Sequence, residues 1–509
     1  MRLSLDIPRP TVADFVAGAS VALVLIPQSL GYADLAGLPT FIGLFASALP
    51  LLVFSLFASS PFLQTGPTAI ISLLTFAALP TLTANPSADE LDSRVAMAAL
   101  LALMVGAIRF VFGSLRFGTI VRAISLPVIT GFTSAAGILI IASQLPRILG
   151  IEGLTGGVLP NAFEALSQAG DWNVAGIVLA VITVALFHGS RAIHPLVPGV
   201  LFAVVLGVVW SMATSFDGPT IGDVPEGLPP VSFDLPFDQI GPLVPAALVI
   251  ALIGFAEPVS IARTFANETG QRWNPNREFV ASGIANTVAA FSGAYPVGGS
   301  FSRSSVNRLA GAQTRWAGGV TGVVVLIFLL FASVLEPLPT AVLGAIVLAA
   351  VLSLIKPRLL WSIWKRSPAQ ALLTYATFAV TLLSAPRVER GVLFGVGLSI
   401  VVHFIRRFRV EQASEGAVTI LTPKGMLWMG TESAFASELA EAAEGNAQIV
   451  RVDFSATPFI DDAAVQAMKA TAARLQESNR SLEWVNPPPR TEMMFANIAA
   501  AAAASSAQR

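Results

Sequence analysis

LQTGPTAIISLL, residues 63–74, and YPVGGSFSRSSVN, residues 295–307, are short apolar stretches broken by glycine and proline, and their reading decides the fold. Each reads as a half-helix that begins inside an apolar medium. The first N–H groups of a helix lack intrahelical partners, and the aligned peptide dipoles leave partial positive charge there. A helix that starts at mid-membrane therefore aims a small anion-binding hole at whatever lies in front of it. A packing kink would also produce GP or GG. Two facts favour the half-helix reading. The breaks occupy the same ordinal position in two halves of the chain, and the second is followed by Ser300, Ser302, Arg303, Ser304 and Ser305, which lipid contact would not permit.

Working outward, 54% of the 509 residues are hydrophobic, 12% are charged and the mean hydropathy is +0.73, the profile of a membrane protein. A net charge of −1 leaves no electrostatic footprint for nucleic acid, and the absence of cysteine excludes disulfides, thiolate metal sites and cysteine nucleophiles. His188, His194 and His403 are the only histidines; no two have metal-ligand spacing within a helix, and all three read as interfacial. No nucleophile–base pair, phosphate-binding loop or metal cluster marks an enzyme, and no cofactor is expected. Arg2 and Arg9 precede a long apolar stretch without a small-residue cleavage pattern, so the first segment reads as a span and not as a cleaved signal.

Apolar segments fall near 12–30, 41–57, 94–113, 122–145, 172–188, 195–213, 242–262, 277–292, 315–335, 340–355, 368–385 and 389–405, and the two broken stretches near 66–80 and 300–311 raise the expected number to fourteen. With both termini inside, eighteen Lys and Arg residues fall in inside connections, among them Arg109, Arg116, Arg191, Arg263, Arg277, Lys356 and Arg358. Only Arg94, Arg147, Arg387 and Arg390 fall outside, which is the asymmetry of the positive-inside rule. The loop from Thr214 to Gly241 carries Asp217, Asp223, Glu226, Asp234 and Asp238 and no basic residue, fits the outside, and divides the segments into two sets of seven. Seven is odd, so the second set enters with opposite orientation, as an inverted repeat over about 10–214 and 240–410. The two half-helices then run in opposite directions with their N-termini facing each other.

Arg303 stands on the first turn of the second half-helix. Its guanidinium stays charged and must be answered by an anion or a carboxylate. Glu257, the only carboxylate inside the eighth segment, is the candidate structural partner, and it is also a candidate for proton coupling.

The stretches LIPQSLGYADLAGLPTFIGLFASALP from Leu25, SSPFLQTGPTAIISLL from Ser59, GFAEPVSIARTFA from Gly254 and GGSFSRSSVNRLAGAQT from Gly298 resemble the sulfate permease anion transporters, the family that includes the hearing motor prestin. The resemblance runs in order along essentially the whole chain. It implies a mainly α membrane protein with fourteen transmembrane segments in a uracil-permease-like arrangement of core and gate domains. It also implies an elevator movement of core against gate. Carried over by position, it puts Gln28, Tyr32, Gly66, Pro67, Thr68, Phe301, Ser302 and Arg303 around a bound anion, with Glu257 at the family's acidic eighth-segment position. Relatives that bind sodium there tend to have a shorter aspartate; a longer Glu followed by Pro258 favours protons.

Beyond Arg409 the long apolar runs stop. AVTILT from Ala417, GMLWMG from Gly425, IVRVDF from Ile449 and SLEWVN from Ser481 read as strands, with helical patterns near 431–444 and 461–478, giving a small cytoplasmic α/β domain. VDFSATPFIDDAAVQAM, residues 452–468, resembles the STAS signature. Where regulatory STAS domains carry a phosphorylatable serine after the aspartate, this chain has Asp461, Asp462 and Ala463, so phosphoswitching is not expected there. The expected organisation is a transport domain over 1–410, a STAS domain over 411–495 and a disordered tail over 496–509.

The resulting expectation is a secondary active transporter in the inner membrane, with both termini cytoplasmic, forming a homodimer. It moves a small anion, a dicarboxylate such as fumarate or else sulfate or bicarbonate, together with protons. An uncoupled channel or an exchanger of the same fold is the alternative. A nucleobase permease is disfavoured, because neutral recognition does not call for an arginine between two helix N-termini.

Overall fold

The computed structural model describes residues 8–80, 87–118, 125–154, 156–214, 216–270, 273–366, 368–405, 409–415, 418–427, 431–444, 449–457, 459–460, 468 and 481–488. The first half contains α1 (Val12–Leu35), α2 (Ile42–Ser47), α3 (Leu49–Phe57), the two-residue strand β1 (Thr65–Gly66), α4 (Ala69–Ala78), α5 (Ala88–Ser114), α6 (Leu126–Leu149), α7 (Val158–Ser167), α8 (Val174–Ile193) and α9 (Gly199–Thr214). The second contains α10 (Ile240–Thr269), α11 (Pro275–Phe291), β2 (Gly298–Gly299), α12 (Phe301–Leu309), α13 (Trp316–Phe328), α14 (Thr340–Val351), α15 (Pro357–Arg366), α16 (Pro368–Leu383) and α17 (Glu389–Ile405).

Among the described residues, seven helical stretches are long and apolar enough to cross a membrane: Val12–Leu35, Ala88–Ser114, Leu126–Leu149, Val174–Ile193, Phe237–Thr269, Trp316–Leu335 and Thr340–Lys365. Four shorter apolar stretches accompany them among the described residues, single helices at Ala69–Ala78, Gly199–Thr214 and Gln370–Leu383 and a broken one at Ile42–Phe57. The expected segment 41–57 is not one helix. Ala48 leaves helical geometry, with φ −93° and ψ −92°, and α3 restarts with Pro50 in its first turn. A proline there costs no hydrogen bond, whereas in a continuous helix it would remove one and clash with the preceding turn. The short helices α7 and α15 fall where only connections were expected. Both are too short to span, and α15 (PRLLWSIWKR) leaves Trp361 and Trp364 exposed.

Within the helical region α5 lies along α11, α3 bridges α11 and α13, and α1 packs on α13. α8 packs on α9 and α14, and α1 also touches both α9 and α14. Polar residues tie the apolar helices at defined points. Thr11 and Asp14 form a capping box at the start of α1, and the same Asp14 carboxylate accepts Gln313 N at 2.9 Å and Thr314 N at 2.8 Å from the turn after α12. Glu278 of α11, fully buried, accepts Ser59 N at 3.0 Å and Ser60 N at 3.1 Å, fixing the approach to the first half-helix.

The charge reading needs correction within α5, where Arg94, assigned to an outside connection, is buried. Arg109, assigned to an inside connection, lies within α5 and is fully buried. Its guanidinium donates to Ser282 Oγ (2.9 Å), Val297 O (2.8 Å), Ile250 O (2.9 Å) and Ala251 O (3.3 Å), joining α5, α10, α11 and the segment that leads into β2. Hydropathy alone cannot separate such a residue from a loop charge near a helix end.

The C-terminal α/β part has a four-stranded sheet in the order β3 (Arg409–Glu415), β4 (Val418–Lys424), β6 (Ile449–Asp453), β8 (Ser481–Val485). β3 pairs antiparallel with β4, whereas β4, β6 and β8 run parallel. The parallel step from β4 to β6 needs a crossover, and α18 (Glu432–Glu444) supplies it. β5 (Met426–Leu427) and β7 (Phe459–Ile460) form a separate parallel pair. Leu421, Phe435, Leu439, Val450, Val452 and Phe454 make the core. The strand β3 begins at Arg409, within the stretch read from sequence as the end of the membrane region. Asp461, Asp462, Ala463, most of the helical pattern at 461–478, and the 496–509 tail lie outside the described residues.

Replacing Arg109 by leucine is expected to remove four donor contacts, leaving Ser282 Oγ without this partner and Val297 O with Asn286 Nδ2 alone, at about 1–3 kcal/mol for each buried group left unsatisfied. The check is the thermal midpoint of detergent-solubilised protein: Arg109→Leu should melt far below the parent, and Arg109→Lys should fall between them.

Candidate anion site between two half-helices

The two broken stretches meet. Thr65 pairs with Gly299 and Gly66 with Gly298 in an antiparallel two-residue ladder, so the chains pass in opposite directions at this point. Three further bonds hold the crossing: Ser300 N to Gln64 O at 3.0 Å, Gln64 N to Ser304 Oγ at 3.0 Å, and Asn307 Nδ2 to Phe62 O at 3.1 Å. Asn286 supports the second stretch, accepting Val297 N at 2.9 Å and donating to Val297 O at 3.1 Å. Backbone geometry favours glycine at Gly66, and close packing leaves little room beside Gly298. Gly66 has φ +148°, and a Cβ on Gly298 would stand 2.5 Å from Ile71 Cδ1. α4 starts after extended Thr68 and α12 after extended Ser300, and neither start has a side-chain cap. The first-turn N–H groups of α4, and those of α12 beyond Phe301 N, are therefore available to something other than a cap.

Arg303 is fully buried, and its Nε, Nη1 and Nη2 have no hydrogen-bond partner among the described residues. The ion pair with Glu257 weighed from the sequence is not formed. Glu257 instead faces the start of α12, where its Oε1 accepts Phe301 N at 3.5 Å, so the carboxylate takes the position of a helix-terminal anion. Arg303 lies behind the crossing, where a Cβ on Gly66 would come within 3.4 Å of its Nη2. Tyr32, Glu257 and Tyr295 are its electrostatic neighbours. Tyr295 is itself anchored by a 3.1 Å bond between its hydroxyl and Ser72 Oγ.

In front of the crossing is a cavity of about 420 Å³. One wall comes from Gln28 and Tyr32 of α1, from Thr68, Ala69 and Ile70 at the start of α4, from Glu257, and from Ser300, Phe301, Ser302 and Ser305 around the start of α12. The other comes from Phe187, Arg191 and Pro195 in and after α8, and from Ala350, Val351, Ser353 and Leu354 at the end of α14. Of the residues singled out in the sequence, Gln28, Tyr32, Thr68, Glu257, Phe301 and Ser302 line this space. Gly66, Pro67 and Arg303 do not; Gly66 belongs to the ladder, and Arg303 sits in the layer behind the lining. Phe301, expected as an apolar wall, is 54% exposed toward the cavity and stacks on Phe265 with centroids 6.3 Å apart.

Arg191 is the charged lining residue that the sequence does not single out, alongside apolar and hydroxyl groups of α8 and α14. It was counted as a loop charge because it occupies the last turn of α8, where a cation is favourable whatever its function. Its spacing of four from Phe187 was the available signal: the guanidinium lies 4.4 Å from the centre of that ring, and Nη2 donates to Ser302 Oγ at 3.0 Å. Of the histidines, His188 stacks edge-on against Phe187 and His194 Nδ1 accepts Leu196 N, while nothing is described of the His403 side chain. Among the described residues no three His, Asp or Glu side chains converge as metal ligands.

Residues 12–377 match the Sulfate permease family, and residues 409–502 match the STAS domain. The chain belongs to the sulfate permease family. It is 35% identical over 405 residues to sulfate transporter 4.1, chloroplastic, of Arabidopsis thaliana, covering 77% of this chain and 58% of that protein. The chain thus spans somewhat under three fifths of that plant relative's length. It is 30% identical over 476 residues to the sodium-independent sulfate anion transporter of Bos taurus, covering 85% of this chain and 76% of the bovine one. Among solved structures, murine solute carrier 26 family member A9, an anion transporter in the inward-facing state, matches with a TM-score of 0.71 at 21% identity, over 97% of this chain and 88% of the other. The transmembrane domain of the cyanobacterium bicarbonate transporter BicA matches with a TM-score of 0.64 at 25% identity, over 76% of this chain and 97% of the other. The fold is thus that of a mainly helical membrane transporter of this family with a C-terminal STAS domain, and the named relatives are transporters, not enzymes.

Gly66→Val is expected to strain the ladder, because φ +148° is costly for a β-branched residue, by roughly 1–3 kcal/mol. Its thermal midpoint should fall, whereas Ala78→Val, at the far end of α4, should leave it within about 0.5 kcal/mol.

Proposed function

We propose that this sulfate permease family member is a secondary active transporter that carries a small anion together with protons. Sulfate is the first candidate, because it is the substrate in the names of the plant and bovine relatives; bicarbonate and a dicarboxylate such as fumarate follow. The observation that carries the reading is Arg303, fully buried and without a hydrogen-bond partner among the described residues, beside two uncapped helix starts. Removing a guanidinium from water is expensive, and leaving its donors unmet costs more. An anion at the starts of α4 and α12 offsets both costs, and the uncapped N–H groups supply neutral donors. Gln28, Thr68 and Ser302 add side-chain donors, Gly66 and Pro67 shape the approach, and Tyr32 and Phe301 exclude water.

Glu257 gives a physical route to proton coupling. An ionised carboxylate at Phe301 N competes with the substrate anion for the same positive helix end. Protonation removes that competition, so a proton and the anion enter together and leave together. The movement that follows is elevator-like: α1, α4, α10 and α12 carry the site, while α8 and α14 form the opposing wall. The same proposal includes fourteen spans as an inverted repeat, cytoplasmic termini, residence in the inner membrane and a homodimer.

The test is uptake of labelled sulfate, bicarbonate and fumarate into proteoliposomes with and without an inward proton gradient. Arg303→Ala should abolish uptake of whichever anion is carried, and full uptake by this variant would remove the site assignment. Glu257→Gln should retain uptake while losing most of its stimulation by the gradient. Equal stimulation of parent and variant would sink the coupling role.

A further inference from the structure

The cavity holds a second cation whose part in recognition no family match assigns. Arg191 is exposed on the cavity wall opposite the half-helices, carried by the last turn of α8. No carboxylate pairs with it among the described residues. Its partners are the neutral hydroxyl of Ser302, at 3.0 Å, and the face of Phe187, at 4.4 Å. A hydroxyl is a weak partner for a guanidinium compared with an oxyanion, which can take two parallel N–H donors at once. The side chain is therefore held at the rim in a position from which an arriving anion can displace Ser302.

Charge arithmetic gives the consequence. Ser302 and Arg303 are consecutive at the start of α12, with the first turned to Arg191 in the cavity and the second buried behind it, so the two guanidiniums flank one helix start. With Glu257 protonated, as the transport reading has it, Arg303 alone balances one negative charge. We propose that Arg191 supplies the second, and that it thereby sets selectivity for divalent oxyanions over monovalent anions. This rests on the transport reading above and deepens it. Phe187 holds the guanidinium plane, so that two N–H groups can face two oxygens of a tetrahedral anion. Because Arg191 belongs to the wall opposite the half-helices, this second contact exists only while that wall adjoins the site, and it breaks when the two separate.

The experiment compares the parent with Arg191→Gln and Arg191→Lys, each first shown to be monodisperse and folded by gel filtration and thermal melt. Apparent affinities for sulfate and nitrate are read both from thermal stabilisation of the solubilised protein and from uptake into proteoliposomes. Arg191→Gln should weaken sulfate about tenfold or more while changing nitrate less than about threefold, since one of two unit charges facing a dianion is lost. Arg191→Lys should recover part of the sulfate affinity, because it restores the charge but not the planar fork. Equal losses for both anions, or unchanged sulfate affinity in Arg191→Gln, would overturn the assignment. Absence of uptake by the parent would overturn transport alone, because the sulfate-to-nitrate ratio is still read from stabilisation.

Discussion

Two paired positions, Thr65 opposite Gly299 and Gly66 opposite Gly298, are the constraint on which the functional region depends. A helix cannot begin in an apolar medium unless the chain that leads into it has its own backbone groups satisfied. Here each extended lead-in satisfies the other. The ladder therefore permits α4 and α12 to begin where they do, and it fixes their opposed directions. Asn286, Arg109 and Glu278 serve the same requirement one layer out, meeting the backbone groups of the lead-ins that the ladder does not reach.

Two fully buried arginines show how differently the same side chain can be held. Arg109 has acceptors at 2.8–3.3 Å around its guanidinium and joins three helices. Arg303 has none among the described residues, although it is equally removed from solvent. Burial alone does not distinguish a structural cation from one awaiting a ligand; the state of its donors does. The proposed anion site rests on that contrast.

Much of this region was legible because half-helices in a membrane leave a strong residue signature. Glycine and proline mark the breaks at Gly66–Pro67 and Gly298–Gly299, and the serine-rich run around Arg303 cannot face lipid. Other features were hidden for physical reasons. Arg109 and Arg191 both sit near helix ends, where positive charge is ordinary, so neither its burial nor its approach to the cavity shows in hydropathy. The bend at Ala48 has no special residue at the break itself and depends on Pro50 two positions later. The C-terminal strands were readable from alternation, but β3 at Arg409–Glu415 was not, because VEQAS carries little of the apolar pattern by which the other strands are recognised.

The two helix starts are not equivalent. The start of α12 already has a carboxylate before it, with Glu257 accepting Phe301 N, whereas the start of α4 presents Thr68, Ala69 and Ile70 to the cavity without a counter-charge or cap. A symmetric pair of empty anion holes would bind a substrate tightly and give nothing that a second ion could control. On the transport reading proposed above, occupancy by substrate and ionisation of Glu257 would oppose each other electrostatically, and Arg303 is an electrostatic neighbour of that carboxylate. The antiparallel ladder supplies the two opposed helix starts, and a carboxylate before only one of them is the asymmetry from which the proposed coupling is argued.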